Sequence, residues 1–192
     1  MVSSILILIL IWTMSGLLSE DLAVGRYLAQ FLGGSMSVHF LPVIFFLSAV
    51  LMATTMGSSW GTLGILIPVG VPMLVSLMHV QVPVSLSQIP LLLPLLGAII
   101  SGAIVGNHLS PISDTMLMSS TSSGAYHIDV VRMQFELTLP CIIATAVAFL
   151  VSGLLIGSCS LFVNLLISLT LGICMMMVIF RILHARRPKK VV

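Results

Sequence analysis

Apolar residues in this chain fall in long unbroken runs, not in the short alternating stretches of a soluble core. Val2–Leu18, His39–Met56, Ile89–Gly106, Met133–Gly157 and Ser160–Leu183 carry few or no charges. A helix rises about 1.5 Å per residue and needs roughly 20 apolar residues to cross the hydrocarbon. Each run therefore predicts a membrane-spanning helix. A transmembrane β-barrel would need alternating segments of about ten residues, and the chain has none. The expected fold is all-α, a polytopic transmembrane helical bundle forming one domain over residues 1–192.

Polar breaks divide the runs. In Glu20–Gly34 the apolar positions Leu22, Val24, Tyr27, Leu28, Phe31 and Leu32 recur at near-helical spacing. That spacing predicts a short amphipathic helix, lying at the interface or packed on the protein as a connector, and ended by Gly33 and Gly34. The run from His39 meets a polar stretch, Ala53–Thr62. Leu63–Met78 is apolar again but interrupted by Pro68, Gly70 and Pro72, and a polar loop, His79–Gln88, follows. The next run contains Pro90 and Pro94 and stops at Gly106–Thr115. A short apolar piece, Met116–Met118, leads to a Ser/Thr/Gly cluster ending at Gly124, and a polar turn, Tyr126–Arg132, precedes two closing spans.

Composition and charge add direction to this picture. Hydrophobic residues make up 59% of the chain, charged residues 6%, and the mean hydropathy is +1.27. Soluble domains carry about 25% charged residues, so a lipid bilayer is the expected partner and nucleic acid is not. Met1–Ser4 has no basic residue, and Ile5–Ile11 runs into Trp12 and Leu17 without a small-residue cleavage site, which reads as a retained span. Arg181, Arg186, Arg187, Lys189 and Lys190 are five of the 7 basic residues. By the positive-inside rule they place the C-terminus in the cytoplasm, with 184–192 as a basic tail. Cys141, Cys159 and Cys174 have no metal-ligand spacing and read as small packing residues.

The chemistry concentrates at two breaks. Lipid cannot satisfy backbone N–H and C=O groups, so a helix that breaks at membrane depth persists only beside protein or a water-filled cavity. Transporters build ion sites from such broken helices. The first break joins Gly57, Gly61 and Gly64 to the hydroxyls of Thr54, Thr55, Ser58, Ser59 and Thr62. It suggests a re-entrant hairpin lining a site, with Trp60 beside it. Small residues at a helix–helix contact would give the same pattern, and Trp60 would serve equally as an interfacial anchor.

At the second break Pro111 removes a donor and disfavours helix at Ser110. Around it sit Asn107, His108, Ser110, Ser113, Asp114 and Thr115, and Asp114 is the only carboxylate between Asp21 and Asp129. An intramembrane acid suggests function; the plainer role is N-cap of a short helix, Thr115–Ser120. Burial favours a protonated carboxyl and a bound cation favours the carboxylate. Their competition is the minimal chemistry of cation/proton exchange. Hydroxyl and amide oxygens suit a hard cation such as sodium at Asp114. His108 would relay protons or satisfy backbone carbonyls. Asp129, Arg132 and Glu136 read as loop and interface residues, and His39, His79 and His184 as span-end residues.

Two segments, Thr54–Pro68 (TTMGSSWGTLGILIP) and Gly106–Arg132 (GNHLSPISDTMLMSSTSSGAYHIDVVR), resemble the NhaC-type sodium/proton antiporters of the wider ion-transporter superfamily. Ser110, Pro111, Ser113, Asp114 and Thr115 match the SPISDT motif, His108 matches the histidine before it, and Ser58, Trp60, Gly61 and Thr62 match the first motif. The resemblance implies the C-terminal portion of a longer carrier built from two inverted halves. The two breaks would be the hairpin and the discontinuous helix of the second half. It also implies sodium and protons as cargo across the bacterial inner membrane, no cofactor, and the remaining half supplied by a separate chain or a homodimer. Asn107 stands where the family commonly has aspartate, and Leu109 where a cysteine is common. Two alternatives accompany this reading: exchange of a small organic acid or amine, and an inactive or assembly fragment. An intramembrane hydrolase would need an HExxH, paired aspartates or a GxSxG elbow, and the sequence has none.

Overall fold

The computed structural model describes residues 22–32, 37–78, 89–157 and 160–186, with a few isolated positions before residue 18. The expected span Val2–Leu18, the stop at Gly33 and Gly34, the loop His79–Gln88, Cys159, and the tail after Arg186 lie outside the described residues. The described elements are α1 (Val24–Leu32), a 3-10 turn (Val38–Phe40), α2 (Leu41–Met56), α3 (Ser59–Leu77), α4 (Leu92–Leu109), α5 (Asp114–Ser123), α6 (His127–Leu154) and α7 (Leu161–Arg186). Five of them are long and apolar enough to cross a membrane, counting the 3-10 turn with α2. Leu161, Phe162, Leu165, Leu169, Ile173 and Met177 stand exposed along α7. An apolar surface of that extent is stable in lipid and not in water.

The core forms where α2, α3 and α4 meet, around Leu41, Phe45, Ala49, Leu66, Val69, Met73, Leu95 and Ile99. Glycine makes the tightest part of it. A Cβ on Gly102 would stand 2.5 Å from Phe46 O and 2.8 Å from Ala49 Cβ, and one on Gly106 would collide with Val50 O. The paired residue numbers rise together, so α2 and α4 run parallel with backbones nearly touching. α3 returns antiparallel to α2: a Cβ on Gly61 would sit 3.4 Å from Met56, and one on Gly70 2.9 Å from Phe45 and 3.3 Å from Ile99.

Two expectations change, and one open alternative closes. Pro68 and Pro72 do not interrupt the second arm, since α3 continues unbroken through both. A proline removes one N–H from the ladder, and packed neighbours make such a loss tolerable in a membrane bundle. Here α1 lies on that turn, Gly25 facing Val69 O and the Met73 amide. With Gly25 and Ala29 buried and Arg26, Tyr27 and Gln30 exposed, α1 is the connector packed on the protein. The polar turn at Tyr126–Arg132 is shorter than expected. Gly124, at φ +64°, closes α5 and α6 already begins at His127.

α6 runs antiparallel to α2 and is held near both ends by histidines. His39 Nδ1 donates to Gly153 O at 2.8 Å, and His127 Nε2 donates to Pro111 O at 2.8 Å.

Candidate functional site

At the first break α2 ends on Gly57, whose φ of +67° is the left-handed conformation that suits glycine. Ser58 is extended, and its Oγ accepts the Gly61 N–H at 3.2 Å, an N-cap for α3. The link is thus two residues, and the hairpin's arms each have the length of a span. Its hydroxyls donate to carbonyls. Thr54 Oγ1 reaches Val50 O at 2.7 Å and Gly106 O at 3.2 Å, while Thr55 reaches Met52 O at 2.9 Å and Leu51 O at 3.0 Å. Ser59 donates to Ala103 O at 3.1 Å and Thr62 to Ser58 O at 3.0 Å. Thr54 and Ser59 therefore tie both arms to α4. Trp60 is 71% exposed beside the tip.

The second break faces this tip. A Cβ on Gly57 would lie 2.9 Å from Ile112 Cγ1 and 3.2 Å from Ser110 Oγ. α4 stops at Leu109, Ser110 and Ser113 are extended, and α5 starts at Asp114, so the helix is discontinuous as expected. The cap is Ser113 and not Asp114: Ser113 Oγ accepts the Met116 N–H at 3.3 Å. Asp114 occupies the first turn, where a negative charge meets the positive end of the helix dipole, and its Oδ1 accepts the Thr115 N–H at 2.8 Å.

Four sequence-selected residues form one chain of contacts. Asn107 Nδ2 donates to Thr115 Oγ1 at 3.3 Å, Thr115 Oγ1 meets Ser113 Oγ at 3.3 Å, and Ser113 Oγ donates to Ser110 O at 3.2 Å. Ser110 and Ser113 are fully buried; Asp114 and Thr115 are exposed. Asn107 Oδ1 is buried with no hydrogen-bond partner. Leaving a buried acceptor unmatched costs about 1–3 kcal/mol, so this oxygen marks the place where a positive group would be gained. His108 is exposed on the last turn of α4 and stands outside the chain. Among the described residues no three His, Cys, Asp or Glu side chains gather to hold a metal ion; the donors here are hydroxyl, amide and carboxylate oxygens.

The larger of two described cavities, about 470 Å³, lies away from the breaks between α4, α6 and α7. Two polar contacts cross its wall, Asn164 Nδ2 to Ser152 O at 2.9 Å and Ser168 Oγ to Asn164 Oδ1 at 3.2 Å. A second cavity, about 320 Å³, is lined by Leu47, Thr54, Leu109, Phe135 and other apolar residues.

Residues 1–154 match the Na+/H+ antiporter family. The chain belongs to this family. With five apolar helices of spanning length, it is an integral, multi-pass protein of the lipid bilayer. It is 36% identical over 153 residues to an uncharacterized protein of Haemophilus influenzae, covering 80% of this chain and 27% of the relative. It is 32% identical over 120 residues to the malate-2H(+)/Na(+)-lactate antiporter of Bacillus subtilis, covering 60% of this chain and 23% of that protein. An uncharacterized Na(+)/H(+) antiporter of Haemophilus influenzae is 33% identical over 109 residues, 57% of this chain and 21% of its own. The chain thus spans about a quarter of the length of these curated relatives. No solved structure matches.

Both breaks lie inside the antiporter-family match, whereas α7 lies beyond it. Spacing alone did not find His127 or Ser120. His127 bonds Pro111 O across 16 residues and Ser120 Oγ across 7. The available signal was that His127 falls within the resembling segment Gly106–Arg132.

Proposed function

We propose that this chain carries the cation site of a sodium/proton antiporter of the bacterial inner membrane, as the C-terminal half of a split or truncated carrier. The observation that supports it is the unpartnered Asn107 Oδ1 beside the second break. Asp114 has one carboxylate oxygen occupied by its own helix, leaving the other for cargo. Sodium would take that oxygen with Asn107 Oδ1 and the hydroxyl of Thr115, while Ser110 and Ser113 shape the break and His108 stands at its mouth. The first break, with Thr54, Thr55, Ser58, Ser59, Trp60 and Thr62, would form a wall against it. A proton on Asp114 removes the charge sodium needs, so the two occupants exclude one another and exchange follows. Alternating access requires a second body. A separate chain or a second copy of this one would supply it, and the basic tail would keep the C-terminus cytoplasmic.

A second reading is exchange of a small organic acid. It is favoured by the malate/lactate exchange for which the Bacillus subtilis relative is named and by the neutral amide of Asn107, which does not repel a carboxylate.

Everted vesicles from an antiporter-deficient host separate these readings. The chain is expressed alone and with any neighbouring half, each beside Asp114→Asn. Sodium-dependent dissipation of a pH gradient, absent in the variant, is expected. Dissipation that needs malate or lactate would move the assignment to the organic acid. Full exchange in Asp114→Asn would remove Asp114 from the mechanism.

A further inference from the structure

The Pro111 carbonyl sits in the unwound link between α4 and α5, where no helix partner is available to it. His127 supplies one from the first residue of α6, Nε2 to Pro111 O at 2.8 Å. A carbonyl only accepts, so Nε2 carries the hydrogen in that bond. The other ring nitrogen, Nδ1, lies 3.0 Å from Ser120 Oγ on α5, and Ser120 Oγ lies 3.0 Å from Leu117 O. One imidazole therefore holds both the link before α5 and Ser120 within that short helix. Ser120 is buried and His127 half-buried, unlike most of α5. Asp114 and Thr115 lie on the segment between the two held points, so their position depends on that clamp.

We infer that His127 is a positioning residue for the cation site: by joining Pro111 O to Ser120 it sets where α5 begins and where the Asp114 carboxylate stands. The inference rests on the antiport reading of the same site. His127 touches no cargo; it fixes the segment that does. An imidazole reaches two partners at once, whereas a glutamine retains a distal N–H for Pro111 O and gives up the Ser120 contact.

The test uses the full chain, with any neighbouring half, as wild type, His127→Ala, His127→Gln and Ser120→Ala. Hydrogen exchange of the backbone amides of residues 112–120 reads the clamp without needing transport. The half-saturating sodium concentration in everted vesicles reads its effect. Protection is expected to fall in His127→Ala and to return in part in His127→Gln. Half-saturating sodium is expected to rise roughly tenfold in His127→Ala, the scale of one lost hydrogen bond, and to recover in the same order. Ser120→Ala should give a smaller change of the same kind, and it carries the test should His127→Ala not fold. Unchanged protection in both His127→Ala and Ser120→Ala would overturn the clamp. Lost protection with unchanged sodium dependence would overturn the positioning role. Absence of exchange in wild type would instead overturn the antiport reading, and the amide profile alone would then decide the clamp.

Discussion

The two breaks use the same device at their helix starts and differ in what is left over. Ser58 caps α3 by accepting from Gly61 N–H, and Ser113 caps α5 by accepting from Met116 N–H. Around the first cap the hydroxyls of Thr54, Thr55, Ser59 and Thr62 all donate to backbone carbonyls, two of them on α4. Around the second, one amide oxygen is buried without a partner and a carboxylate stands exposed. The first break therefore reads as a joint that locks the hairpin to α4, the second as a place with spare acceptors. Hydroxyl-rich sequence alone does not distinguish them, because what matters is whether the donors already have somewhere to go.

Substitutions can sharpen or break this contrast. The largest effect is expected at Asp114: Asp114→Asn should bring exchange to background while its unfolding temperature in detergent stays at the wild-type value. A large drop in that temperature would show the carboxylate holding structure instead. Next is Gly57→Val, which adds a side chain against Ile112 in a left-handed backbone; a loss of about 2–3 kcal/mol is expected by thermal unfolding. Gly124→Ala, with a similar φ and open space around it, should lose only about 1 kcal/mol. Equal losses would mean that the contact between the breaks carries no energy. Asn107→Asp adds a charge to the unpartnered position and should lower half-saturating sodium on the order of tenfold, the scale of one close charge in a partly screened site. A rise there would favour an anionic cargo. The smallest difference is between the caps. Ser58→Ala should lose about 1 kcal/mol, and Ser113→Ala somewhat more, since Ser113 also meets Ser110 O and Thr115 Oγ1. Equal losses would mean that the added contacts of Ser113 carry no energy.

Much of this was legible in the chain. Spans follow from composition, since lipid admits few other structures, and the second break follows from Pro111 among polar residues. What escaped depends on contacts between distant positions. Pro68 and Pro72 looked like interruptions because the cost of a proline is local, while α1 packing over that turn is not. The cap fell on Ser113 and not Asp114 because both residue types cap well, and the backbone geometry chose between them. His127 seemed part of a polar turn, and only the return of α6 to the break brought its ring to Pro111. The unmatched oxygen of Asn107 is a property of packing that no spacing expresses.

The glycines of α4 have a mechanical consequence. With Gly102 and Gly106 set against the backbone of α2, no layer of side chains lies between the two helices to slide or re-pack, and Thr54 pins the far end of the seam to Gly106 O. The hairpin tip and the start of the broken helix therefore travel as one rigid lever. Under the proposed antiport, a stroke that carries cargo across would be taken up at its joints, in the unwound link after Leu109 or where this lever meets the body it moves against.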